Sequence, residues 1–172
     1  MFKKSSIAAL ALSLSFTASA NWGISTGFAN FSADAVGEDL SFDVVYGSLT
    51  YEYKFDDSQF SLVPELRAGI GISDDAVDTN IGRIFVELDT FYALSFKGQY
   101  SFNESAYVFA LPSYANVKST ATVDSTSVSD DEWEFGYGIG AGYALNDKAK
   151  VELSFEQYDD TDVLSVSLQM KF

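Results

Sequence analysis

From Trp22 to Phe172 the chain alternates between two chemistries, and this period-two pattern restricts the fold more than any other feature. Residues 132–145 show it best. Trp133, Phe135, Tyr137, Ile139, Ala141, Tyr143 and Leu145 fall on one parity, while Glu134, Gly136, Gly138, Gly140, Gly142 and Ala144 fall on the other. On a β-strand the two parities are opposite faces, so one face is bulky and apolar and the other is small. The last stretch repeats the pattern, with Leu164, Val166, Leu168, Met170 and Phe172 against Ser165, Ser167, Gln169 and Lys171. Residues 81–101 set Ile84, Val86, Leu88, Tyr92, Leu94, Phe96 and Tyr100 against Arg83, Glu87, Asp89, Lys97 and Gln99. Residues 149–158 set Val151, Leu153 and Phe155 against Lys150, Glu152, Ser154 and Glu156.

Turn-forming residues divide the pattern into eight expected strands: 22–31, 40–55, 60–72, 81–101, 106–118, 132–145, 149–158 and 162–172. Asp56-Asp57-Ser58, Asn103-Glu104-Ser105 and Asn146-Asp147-Lys148 read as tight turns, whereas 32–39, 73–80 and 119–131 read as longer, acidic loops. Consecutive connections of an up-and-down antiparallel sheet lie at opposite ends. The tight turns therefore share one end with both termini, and the loops share the other. No helical period, linker or second domain interrupts this order.

Which face is inside follows from volume. The apolar face holds about seventeen of the rings after residue 20, more than the bore of an eight-stranded barrel can take. It must face outward, and an outward apolar band is stable only in hydrocarbon, where a closed barrel satisfies every backbone group. The expected fold is all-β, an eight-stranded antiparallel up-and-down transmembrane barrel. The interior then takes the acids Glu52, Glu65, Glu87, Asp89, Glu134, Glu152 and Glu156 and the bases Lys54, Arg67, Arg83, Lys97, Lys150 and Lys171. Near-balance suits a narrow, poorly hydrated lumen, because an unpaired buried charge costs several kcal/mol. Gly136, Gly138, Gly140 and Gly142 thin one wall and leave room for an internal water pocket. Trp22, Tyr53, Phe60, Tyr100, Tyr107, Tyr143 and Phe172 recur at the tight-turn end and read as an interfacial aromatic girdle, with Trp133 and Phe28 in a thinner ring opposite.

Residues 1–20 read as an export signal, leaving 21–172 as the barrel domain. Lys3 and Lys4 precede the apolar run from Ile7 to Phe16, and Ala18-Ser19-Ala20 offers a peptidase its small residues. That apolar run is too short to span a bilayer as a helix, which needs roughly 20 residues. The chain has neither Cys nor His, which removes disulfides, thiolate metal sites and the usual general base. Its net charge of −15 repels nucleic acid. Adjacent acids such as Asp130-Asp131 or Asp159-Asp160 could formally split their pKa values, but neighbours on a strand point to opposite faces. No catalytic residue, cofactor or enzymatic activity is expected.

The chain resembles the small outer-membrane β-barrel family of the OmpA transmembrane-domain and OmpX type. The likeness spans 21–172 and is carried by Phe135-Gly136-Tyr137-Gly138-Ile139-Gly140-Ala141-Gly142-Tyr143, Asn146-Asp147, Val151-Glu152-Leu153 and the terminal strand ending in Phe172. It implies a monomer in the Gram-negative outer membrane, among lipid and lipopolysaccharide, with both termini in the periplasm. It also implies that the outer-membrane assembly machinery reads the terminal aromatic. Enzymes of this architecture use a catalytic His, which is missing. A structural or surface-interaction role is expected, the alternative being a narrow channel or small-molecule transporter. The outer acids include Asp74, Asp75, Asp78, Asp130, Asp131, Asp159 and Asp160, which either share divalent cations with lipopolysaccharide or form a solvated rim. No formed metal site is expected, since Asp74, Asp75 and Asp78 lack the Gly and closing Glu of a calcium loop.

Overall fold

Segments with two-faced alternation and few prolines form extended strands, and here they pair with their sequence neighbours around a closed wall. The computed structural model describes residues 21–35, 38–79, 82–123 and 126–172. Its strands are β1 (Trp22–Ala35), β2 (Glu38–Tyr51), β3 (Tyr53–Lys54), β4 (Phe60–Gly71) and β5 (Asp74–Thr79), followed by β6 (Gly82–Ser101), β7 (Ala106–Val123), β8 (Thr126–Ala144), β9 (Ala149–Gln157) and β10 (Thr161–Lys171). All pairings are antiparallel, and β3 and β5 merely extend the wall beside β4 and β6. The first and last strands join from Gly23 opposite Lys171 to Ala33 opposite Thr161, which closes an eight-stranded barrel. Closure removes the unpaired edge that hydrocarbon would not tolerate.

The tight turns have local causes. The Asn103 side-chain oxygen accepts the backbone N–H groups of Ser105 and Ala106 at 2.8 Å each, and Asn146 does the same for Lys148 and Ala149 at 2.9 Å. Such Asx turns substitute a side chain for the backbone partner. Asp57 takes a left-handed conformation with φ of 52°, which Asp tolerates better than most residues.

At the other end the structure corrects the expected loops. Most of 32–39, 73–80 and 119–131 is strand, and β7 and β8 stay paired up to Val123 opposite Thr126. The polar residues there are β-competent and bridge across the strands. Thr120 and Ser129 share a hydroxyl hydrogen bond of 2.8 Å, and Thr122 and Ser127 one of 3.0 Å.

A second correction lies in β6. Its pairing with β7 slips between Leu88 and Thr90, leaving Asp89 as an extra residue. A bulge of one residue exchanges the faces beyond it. Below it Phe91, Ala93, Ser95, Lys97 and Gln99 are buried inward, while above it Leu88 is buried and Glu87 is exposed. Glu87 is thus not an interior charge. Asp89 is half-buried at the bulge and accepts the Thr120 hydroxyl at 2.7 Å. Leu88→Ala should therefore cost about 2–5 kcal/mol in urea unfolding, as truncating a buried leucine does, whereas Glu87→Ala should cost little; the reverse order would contradict the face exchange.

Candidate functional site

The outward face is apolar: Phe135 and Ile139 are each 67% exposed, and Tyr137, Leu164, Val166, Leu168 and Met170 are also exposed. The inward face places its ionic groups in layers. Nearest the tight turns, Glu52 takes Lys150 at 3.4 Å and Lys171 in a closer contact. Lys54 lies 3.8 Å from Glu52, but its side chain is 72% exposed past the end of β2, so it sits at the rim and not within the lumen.

Above that layer, Lys97 lies between two carboxylates, 2.5 Å from Glu152 and 3.1 Å from Glu65. Each acid has a further partner, as Tyr107 donates to Glu152 at 2.8 Å and Ser48 to Glu65 at 2.7 Å. The next layer is a two-pronged pair: Arg67 Nη1 and Nη2 donate to Glu156 Oε1 and Oε2 at 2.5 and 2.6 Å. Ser113 and Tyr158 donate to the same carboxylate at 3.0 and 2.9 Å, and Arg67 reaches Ser95 at 2.8 Å. In the three layers Glu52, Glu65, Glu152 and Glu156 balance Arg67, Lys97, Lys150 and Lys171. Paired, hydrogen-bonded charges roughly repay their desolvation, whereas a lone one does not.

Two interior features escaped the sequence reading. Tyr107 is buried in the lumen beside Phe109 and Leu111, so it does not belong to the rim. The alternation of β7 is ambiguous because both parities carry apolar groups; the legible signal was cross-strand, Tyr107 standing opposite Gly142 and Phe109 opposite Gly140. The glycines of β8 also do not leave a water pocket. A Cβ on Gly140 would lie 2.3 Å from Phe109, and one on Gly142 would lie 2.1 Å from Tyr107. Gly136 and Gly138 likewise make room for Tyr158 and Glu156. Trp22, Tyr53, Phe60, Tyr100, Tyr143 and Phe172 are not buried, and Phe60 packs on Tyr100 at 4.9 Å. At the opposite end Trp133 stacks on Tyr114 at 5.0 Å.

Above Arg67 the lumen turns apolar. Phe31 meets Phe91 edge-on at 5.1 Å, within a cluster that includes Phe42, Val44, Leu88 and Val163. Over it lies a cavity of about 250 Å³ whose far wall carries Asp130, Glu132 and Glu134 at alternate positions of β8. Glu134 is half-buried there, in the field of Glu132, Asp159 and Asp160. Asp131 faces away from this wall, opposite Lys118 in register. Asp75 accepts the Ser41 N–H at 2.9 Å, Asp74 is exposed, and Asp159 and Asp160 are exposed at the β9–β10 turn. The side chains of Asp78 and Arg83 lie outside the described residues. Among the described residues no group of three or more acids is arranged to hold a metal ion.

The profile of the outer membrane protein beta-barrel domain family matches residues 5–172. No curated protein matches the chain. Among solved structures, Ail, the attachment invasion locus protein of Yersinia pestis, aligns with a TM-score of 0.63 at 17% identity, covering 88% of this chain and 97% of Ail. Ail has also been solved with the heparin analogue sucrose octasulfate, and that structure aligns at 0.61 and 18%. Neisserial surface protein A aligns at 0.60 and 9% identity, covering 88% of this chain and 97% of its own. The N-terminal β-barrel domain of Pseudomonas aeruginosa OprF aligns at 0.56 and 12%, covering 86% and 97%.

Proposed function

The chain belongs to the outer membrane protein beta-barrel domain family, and from that premise we propose a non-catalytic, monomeric barrel whose outward hairpins act at the bacterial surface. The outer membrane of Gram-negative bacteria is its location. Residues 1–20 direct export and are removed, and the assembly machinery reads the terminal strand ending in Phe172. The tight turns and termini face the periplasm.

The observation that carries this reading is strand length. Crossing a bilayer takes roughly 9–11 tilted residues, and β6, β7 and β8 have 20, 18 and 19. About half of each is therefore left to build a paired sheet beyond the membrane, at the end opposite the tight turns. The three ion-paired layers favour this role over a narrow channel, since they occupy the bore between the outer cavity and the dish at the tight-turn end. The sulfated ligand seen with Ail does not suit this chain, whose hairpin ends carry Asp130, Asp131, Glu132, Asp159 and Asp160. A neutral or cationic surface fits them better.

Cells displaying the barrel should adhere several-fold better to a polylysine-coated surface than cells displaying a version whose β7–β8 hairpin is joined by a tight turn between Ser119 and Asp130. Equal adherence at equal display would end the surface-interaction reading.

A further inference from the structure

The ionic layers and the acidic wall leave a compartment between them whose chemistry differs from both. Its floor is apolar, with Phe31, Leu88 and Ala115, and beneath that floor lies the neutral Arg67–Glu156 pair, onto which the Tyr158 hydroxyl is turned down. This leaves the Tyr158 ring, with those of Phe31 and Phe42, lining the cavity. The remaining wall is aliphatic apart from Ser119, Thr161 and the three acids Asp130, Glu132 and Glu134, which project from alternate positions of β8. Among the described residues no Lys or Arg lines the cavity and none pairs with these three acids. The mouth slopes. β9 ends at Gln157 and β10 begins at Thr161, while β7 and β8 continue to Val123 and from Thr126, so the cavity is approachable over the low wall at Thr161.

We propose that this cavity binds a small organic ammonium ion with an apolar body, such as an arylalkylamine or a quaternary ammonium compound. Three features select that class. The volume of about 250 Å³ exceeds the roughly 150 Å³ known to accept a benzene ring, leaving room for a short charged arm. Phe31, Phe42 and Tyr158 put three aromatic rings on the lining, and quaternary ammonium groups are recognised by aromatic cages. The exposed Asp130 and Glu132 add long-range attraction, and the half-buried Glu134 adds more, since Coulomb terms exceed those in bulk water where solvent is partly excluded. An anion of the same size meets repulsion from the same three groups, and a metal ion finds no described cluster of ligands. The site shares Asp130 and Glu132 with the β7–β8 hairpin, but its occupancy is read without adherence.

The test uses the barrel in phosphatidylcholine nanodiscs with methyl-labelled Leu and Val, titrated with benzyltrimethylammonium and, separately, benzenesulfonate. The cation should shift the Leu40, Leu88 and Val117 methyls saturably, and the sulfonate should not. Glu132→Gln with Glu134→Gln, both at the open mouth, should weaken binding about tenfold. Ala115→Leu, which fills the buried floor, should abolish it. Shifts confined to the lipid-facing Leu164 and Leu168, equal response to the sulfonate, or full affinity in the doubly amidated variant would each overturn the proposal.

Discussion

Glu156→Gln is expected to lower the stability of the folded barrel by about 3–5 kcal/mol, the usual cost of removing one member of a buried ion pair. Glu156 has no exposed surface, and its carboxylate receives both prongs of Arg67 together with the hydroxyls of Ser113 and Tyr158. With the charge gone, Arg67 remains inside the wall with neutral oxygens only, chiefly Ser95 and Ser113. Gln is nearly isosteric, so packing is kept and the loss reports the charge together with the one acceptor oxygen that becomes an NH2 donor. The double variant Arg67→Met with Glu156→Leu should be markedly less damaged than either single change, because it removes both desolvation costs. Urea unfolding from lipid vesicles, followed by Trp22 and Trp133 fluorescence, measures all three. A single variant as stable as the parent would show that the pair is hydrated in the membrane.

The glycine column gives the second large effect. Gly140→Val is expected to cost about 3 kcal/mol, at the upper end of what overpacking exacts. The new Cβ would overlap the Phe109 ring, and it would also press on the Leu153 carbonyl at 2.6 Å. Adding Phe109→Ala should recover part of the loss, giving a coupling energy of about 0.5–3 kcal/mol between the positions. Strict additivity in the same unfolding assay would mean that the backbone clash dominates and that Phe109 yields freely.

Closure, strand order and the outward orientation of the bulky face were legible because period two survives over whole strands, as from Trp133 to Tyr143. Most of the ionic interior was legible for the same reason, since Glu65, Arg67, Lys97, Lys150, Glu152, Glu156 and Lys171 share the parity opposite the bulky residues. Which acid meets which base was not, because contacts such as Arg67 with Glu156 cross the bore between distant strands. Glu87 was misplaced because a single extra residue, Asp89, leaves no mark on composition yet exchanges faces above it. Tyr107 was misplaced because aromatic character near a strand end fits either side of the wall. Its glycine partner on β8 decides the matter, and that requires register. The apolar outer half of the lumen was hidden in β1 and β2, because there Phe31, Phe42 and Val44 face inward and Asp43 outward, the reverse of the bulky-outward pattern that holds across the membrane.

The layers around Glu52, Lys97 and Arg67 cancel one another in charge, so the chain's surplus of acids over bases lies largely outside the membrane and chiefly at one end. With the tight turns inward as proposed, threading the wall into place must carry Asp130, Asp131, Glu132, Asp159 and Asp160 through oil before they reach water. Each ionised side chain raises that barrier. The same barrier works in reverse once the hairpins have emerged, holding the finished protein in a single direction without any anchor on the far side.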